Sequence, residues 1–342
     1  MARHAQAPAD APAGIYFLST PMPLPASESH NPLLDESPLI EARQGQRFYR
    51  SPVRFASLFW ALLTNLPRQI ELLQVFRSRV FGNLLRREPI LPFKYLTRDY
   101  LVRGMSTAER AASLAYHYRC LARTFPNHIL RTILDSRMTV LEKKADGHCI
   151  AVRFSVARTQ VREGELALAL EVDGTTIYVL QFTIVPGWVV RSDAAEVLLV
   201  SRLQGIKGHY REVQLSTKAF SEVAPPALLL AVLHGIAQVC SINEMTGISA
   251  ESQFSYIHSA AESFHAAYDN YWIELGASRI NASFYACPIP PEEKPLTEIK
   301  NGHRSRTRKK REFKRRIAED VFLLLLGYVP APAEDVHEEV LV

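Results

Sequence analysis

Residues 197–213 read VLLVSRLQGIKGHYREV, and the understanding of the fold turns on that stretch. Val197 to Val200 are strand formers, and the run stops at a turn holding Gly205, Lys207 and Gly208. Arg202, Gln204, Lys207, His209 and Arg211 crowd the same turn. Glycines and cations between a strand and a helix are what a backbone cradle for phosphate requires, because exposed amides and the helix N-terminus both attract an anion. On that reading Arg202, Gln204, Gly205, Lys207 and Gly208 bind an anionic cofactor, and His209 is a candidate proton carrier. The simpler reading makes the glycines a tight bend after a central strand.

Outward from this turn the chain divides by period. Alternation predicts strands at 148–157, 165–172, 176–184 and 196–202. Asp173-Gly174 between two of them is a hairpin signal, because both central positions of the favoured turn need positive φ. Before Asp146-Gly147 the pattern is helical. Leu58, Leu62, Leu66, Leu73, Phe76 and Phe81 recur at helical spacings over 52–88, with a break at Pro67. Ser106 and Glu109 have capping-box spacing ahead of an apolar stripe from Ala111 to Phe125, which Pro126 ends; a short helix over 127–135 follows.

On the other side a short helix is predicted at 211–221. Pro225 and Pro226 open a helix from Ala227 to Val239, and a strand over 242–248 is joined to 196–202 by a βαβ-type crossover. A helix at 260–275, a strand at 281–286, a proline-rich loop and a helix at 308–327 complete the pattern. The expected class is α+β: a helical N-terminal part followed by a mixed β-sheet covered by helices. Residues 1–45, rich in Pro, Ala and Ser, read as a disordered arm and 329–342 as a tail. The helical part over 46–146 and the sheet part over 147–328 are expected to form one folded unit.

The chain has 342 residues, 47% of them hydrophobic, enough for a full core. Cys120, Cys149, Cys240 and Cys287 are dispersed and form no C-x-x-C pair, so neither a zinc site nor a disulfide scaffold is expected. No apolar run is long enough to span a bilayer. A cytoplasmic protein is the expectation. The net charge of +5 is unevenly spread: KNGHRSRTRKKREFKRR, residues 300–316, concentrates Arg304, Arg306, Arg308, Lys309, Lys310 and Arg311 ahead of an apolar helical run. Such a segment can bind RNA phosphates or lie on an anionic inner-membrane surface; equally, it can be a solvated helix end. Neither a Walker sequence nor G-x-S-x-G occurs.

SRLQGIKG (201–208), LSTKAF (215–220), PPALLL (225–230), HYRCL (117–121) and above all AAYDNYWIELGA (266–277) resemble the VirK/YbjX family of bacterial proteins over about residues 60–325. The resemblance implies a Gram-negative cytoplasmic protein tied to virulence and envelope phenotypes, and supplies no mechanism. After the 242–248 strand the family pattern carries an Asn and a His where this chain has Ala250 and Gln253. Within the signature, Tyr268, Tyr271, Trp272 and Leu275 share a helical face and read as core, Asp269 and Glu274 are five apart and pair poorly, and Gly276 ends the helix.

The strand order also resembles that of GNAT-type N-acyltransferases, whose loop Q/R-x-x-G-x-G/A binds the diphosphate of CoA. Arg202-x-x-Gly205 fits; Gly208 comes one residue late, and the long helix waits until Pro225. In that fold a tyrosine after the second crossover serves as general acid, a place Tyr256 matches by analogy. The leading expectation is therefore a GNAT-like sheet that transfers an acyl group from acyl-CoA to an amine. The alternative is a non-catalytic regulator that binds RNA or an anionic membrane through residues 304–316.

Overall fold

Asp146-Gly147 and Asp173-Gly174 build the first half of the sheet. All four residues have positive φ, 50° and 82° in the first pair and 50° and 80° in the second, the backbone that a two-residue hairpin needs. The computed structural model describes residues 60, 62–157 and 162–327. The expected arm over 1–45 and tail over 329–342 lie outside them.

The front of the described chain is helical: α1 (Leu66–Phe76), α2 (Gly82–Arg87), α3 (Thr107–Thr124) and α4 (Asn127–Asp135). Pro67 sits in the first turn of α1, after a helical stretch over 62–64. The capping box of α3 forms as expected: the Glu109 amide donates to Ser106 Oγ at 3.2 Å and the Ser106 amide to Glu109 Oε2 at 2.8 Å.

A mixed sheet of eight strands follows: β1 (Met138–Ala145), β2 (His148–Val156), β3 (Leu166–Val172), β4 (Thr175–Pro186), β5 (Glu196–Gly205), β6 (Glu244–Ile248), β7 (Ser278–Arg279) and β8 (Phe284–Pro288), in the order β1-β2-β3-β4-β5-β6-β8-β7. One-turn α5 (Gly187–Val190) links β4 to β5. Neighbours pair antiparallel except β5 and β6, which are parallel. The crossover between those two carries α6 (Tyr210–Ala219) and α7 (Pro225–Val239). After β6 come α8 (Ala261–Ala267) and α9 (Asp269–Glu274), and α10 (Asn301–Leu326) is the last helix among the described residues. Seven consecutive buried residues, Val179 to Val185, show that β4 is covered on both faces. Helix α3 packs on β4, α4 on β2, and α7 crosses β3, β4 and β5.

Several expectations shift. β1 lies inside the stretch read as purely helical. Its MTVLEKKA is apolar only at one end, as suits an edge strand with a solvated half. The short helix expected at 211–221 is α6, which starts at Tyr210 directly after the 205–208 turn, and the long helix begins at Pro225 as expected. The helix expected at 260–275 breaks at Tyr268, with φ −112° and ψ −64°, into α8 and α9. Helix α10 begins at Asn301 instead of 308, so the whole basic run is helical.

Glu165, at the entry to β3, is fully buried. Its Oε1 accepts from Lys94 Nζ at 2.7 Å and Tyr100 at 2.9 Å, its Oε2 from Tyr118 at 2.8 Å. This ties the helical front to the sheet. Beside it His117 of α3 is buried, and its Nδ1 accepts the Ile184 amide at 3.1 Å, which fixes the neutral tautomer. Burial, opposed by Glu165 and reinforced by Lys94, pushes the His117 pKa down from 6.5 to about 4. The unfolded chain therefore takes up a proton near pH 6.5 that the folded chain refuses until about pH 4. Stability should fall as pH drops through that window, by roughly 3 kcal/mol from this group. Urea titrations at pH 7 and pH 4.5 should show a smaller acid loss in His117→Gln than in the parent; an equal loss would exclude His117 as the source.

Candidate functional site at the diverging ends of two parallel strands

In open sheets with parallel strands, ligands settle where neighbouring strands part at their C-terminal ends. Here β5 and β6 pair over only Leu198–Val200 and Met245–Gly247. Phe182 faces Val200 and Gln181 faces Arg202, so Ser201 is an extra residue, a bulge that bends β5 at the point where β6 leaves it. Beyond the bulge β5 follows β4 to Gly205. The Ile206 amide donates to Ile177 O at 2.9 Å, and antiparallel alternation then turns the amides of Leu203 and Gly205 toward the side β6 has vacated.

The quoted turn comes next. The amides of Lys207, Gly208 and His209 donate to no acceptor among the described residues, and α6 has no side-chain cap. Its orphan donors and positive dipole end therefore face outward. The two glycines serve different ends. At Gly205 a Cβ would stand 3.0 Å from Tyr178 Cε2, so the ring would have to give by a few tenths of an ångström for a larger residue. Gly208 has φ +94° with open space around it, so it is needed for the backbone conformation.

The side chains named from the sequence are arranged unevenly. Lys207 is exposed; Gln204 is half-buried and projects from β5. Arg202 is engaged: its Nη1 lies 3.1 Å from Glu163 Oε2, with both side chains mostly buried. His209 Nδ1 is 3.8 Å from Glu212 Oε2, one turn along α6. Tyr256 is buried in a small cluster with Ala250, Phe264 and Tyr268, its ring 5.2 Å from that of His258 and 6.1 Å from that of His265. Tyr268 links this cluster to β5: burial and Glu163 push its hydroxyl pKa up, while Arg202 pulls it down.

Beside Tyr256 the structure assembles a pair that the sequence reading passed over. His265 Nδ1 is in short contact with Asp269 Oδ2 across the break at Tyr268. Asp269 Oδ1 accepts the Ala250 amide at 3.2 Å, just past the end of β6, and burial together with this carboxylate pushes up the hydroxyl pKa of Tyr285 on β8. The carboxylate is largely buried and fixed on several sides, whereas the imidazole is 44% exposed. A carboxylate on Nδ1 orients the ring and leaves Nε2 free to exchange a proton. The i,i+4 spacing of His265 and Asp269 was the available signal. Nearby, Gln253 is buried with both side-chain polar atoms unpartnered among the described residues, and Ser249 Oγ donates to Ser252 Oγ at 3.0 Å.

The basic segment lies elsewhere. Arg304 is fastened to the carbonyls of Ile299 and Thr297 at 2.8 and 2.9 Å. Arg306 pairs with Glu222 at 3.2 Å and Arg311 with Glu293 at 3.4 Å. Arg308, Lys309 and Lys310 have no ion pair among the described residues. No described helix is long and apolar enough to cross a membrane, and no group of three or more described His, Cys, Asp or Glu residues is placed to hold a metal ion.

A family model described as "Protein of unknown function (DUF535)", for a family that includes VirK/YbjX, matches residues 49–321. No curated protein and no solved structure matches the chain.

Proposed function

The chain belongs to the DUF535 family, and we propose that it transfers an acyl group from acyl-CoA to an amine. The observation that carries this reading is the divergence of β5 from β6, with β5 running on into a turn of unpaired amides and an uncapped helix. The one parallel pair inside an otherwise antiparallel sheet supports a GNAT-like reading. Acyl-CoA as donor also agrees with the expected cytoplasmic location.

In this proposal the amides of Lys207, Gly208 and His209 and the Lys207 ammonium hold the diphosphate of CoA. The amides of Leu203 and Gly205 bind the pantetheine arm along the free edge of β5. Gln204 lines the path. Arg202, engaged by Glu163, shapes the wall and does not touch phosphate. His265, oriented by Asp269, takes the proton of the attacking amine. The new C–N bond forms as the C–S bond breaks, and the departing thiolate takes a proton from Tyr256. His209, beside the diphosphate loop, is a second candidate for proton transfer.

The test is thermal stabilisation by acetyl-CoA and palmitoyl-CoA, followed by thiol release with a panel of amines. His265→Ala is expected to lower kcat about 100-fold with KM for the acyl-CoA little changed. Lys207→Ala is expected to raise that KM about tenfold with kcat retained. No stabilisation by either thioester at millimolar concentration, or stabilisation that Lys207→Ala leaves intact, would sink the proposal.

A further inference from the structure

We infer that a cleft between α10 and the α6–α7 turn is a second anion site, built for one compact phosphomonoester. The cleft is about 390 Å³ and is lined by Ser221, Glu222, Arg306, Lys309, Lys310, Glu312, Phe313 and Arg316. It stands apart from the β5–β6 divergence. Helix α6 lies between them, and its ten residues span about 15 Å.

Three observations point to a small, doubly charged ligand. First, four cations converge on one concavity against two carboxylates, and the low-dielectric walls of a cleft focus such a field. Second, Lys310 bears the cost of that crowding: burial, Arg306 and Lys314 hold its ammonium below the ordinary range, with Glu222 as the only compensation. An anion seated there would relieve the repulsion and engage the cleft's lysines Lys309 and Lys310, which lack an ion pair among the described residues. Third, the turn forming the opposite wall is unusual. Ser221 and Glu222 are consecutive non-glycine residues at φ 57° and 62°, a conformation that persists only where surrounding structure demands it.

The same pattern speaks against an extended nucleic-acid track. Glu293 takes up Arg311 and Lys314 outside the cleft, and Glu312 meets Arg316 at 3.6 Å in its lining, so carboxylates interrupt the cationic surface of the helix. The Phe313 ring, 6.4 Å from that of Phe220, gives an apolar wall suited to the carbon skeleton of a phosphate ester.

A phosphomonoester can come from a soluble metabolite or from a lipid headgroup, and the experiment separates them. Binding of the full chain to glycerol 3-phosphate would be measured by calorimetry at physiological salt, and binding to phosphatidic acid vesicles by sedimentation. Phosphatidylglycerol vesicles and a single-stranded oligonucleotide serve as phosphodiester comparisons. The expected result is saturable binding of at least one phosphomonoester probe, weakened about tenfold or more in Lys309→Gln/Lys310→Gln. Arg308→Gln removes charge from the same helix outside the cleft and should leave binding unchanged. Binding to glycerol 3-phosphate identifies a soluble ligand; binding to phosphatidic acid alone identifies a headgroup. The inference is overturned if neither phosphomonoester binds. It is also overturned if Arg308→Gln weakens binding as much as the lysine pair, or if the phosphodiester probes bind as tightly.

Discussion

Replacement of Glu165 by leucine is expected to leave the protein unfolded, or nearly so, at physiological temperature. The carboxylate is fully buried and receives Lys94, Tyr100 and Tyr118. Its removal strands an ammonium, 3% exposed, with no counter-charge, and two buried hydroxyls with no acceptor. Breaking one side of a buried pair costs about 3–5 kcal/mol, a large share of the roughly 5–15 kcal/mol that holds an ordinary domain together. Urea unfolding should show the loss directly. Adding Lys94→Met should restore much of it, because the buried charge is then gone from both sides. A double variant no more stable than Glu165→Leu would show that packing, and not the orphaned charge, dominates.

The second large effect lies in the family signature. Trp272 of α9 lies on Gly247 of β6 and its Nε1 donates to Ile248 O at 3.2 Å. A Cβ at Gly247 would stand 2.0 Å from Trp272 Cε2, far inside contact distance. Gly247→Ala should therefore be destabilising by about 1–3 kcal/mol or more, and Trp272→Ala by about 3–5 kcal/mol through the cavity it opens. The two should not add. In the Trp272→Ala background the alanine at 247 would fill space instead of clashing, so its effect should change sign. Additive losses in chemical denaturation would show that the indole does not rest on that glycine.

What the sequence disclosed follows the reach of each signal. Turn chemistry and capping are local, and both Asp-Gly hairpins and the Ser106–Glu109 box form as their residues require. The strands of the sheet interior were legible from alternation and strand-forming residues, whereas the unbroken burial of Val179–Val185, polar Gln181 and Thr183 included, was not. β1 was not legible either, since half of an edge strand is solvated and Glu142, Lys143 and Lys144 erase its period. At the candidate site the quoted turn was visible as glycines and cations. The uses of those residues were not: Gly205 answers to a ring on the neighbouring strand, and Arg202 to Glu163 in the segment leading into β3. The His265–Asp269 pair was hidden for another reason. Its spacing is helical, but its fixed geometry depends on the Ala250 amide and Tyr285, which only the closing of β6 against β8 brings near.

Helix α7 buries ten of its fifteen residues, among them the unbroken run Leu228–Leu233, over which it is enclosed on every side. Part of that enclosure is α10, which approaches so closely that a Cβ at Gly235 would stand 2.5 Å from Ala318 O. During synthesis α7 leaves the ribosome long before Ile317, Val321 and Leu325 exist to cover it. The nascent chain must therefore carry a greasy, uncovered rod until its last turns emerge. Premature termination anywhere before α10 should yield a sticky fragment that chaperones or proteases must clear, not a working smaller protein.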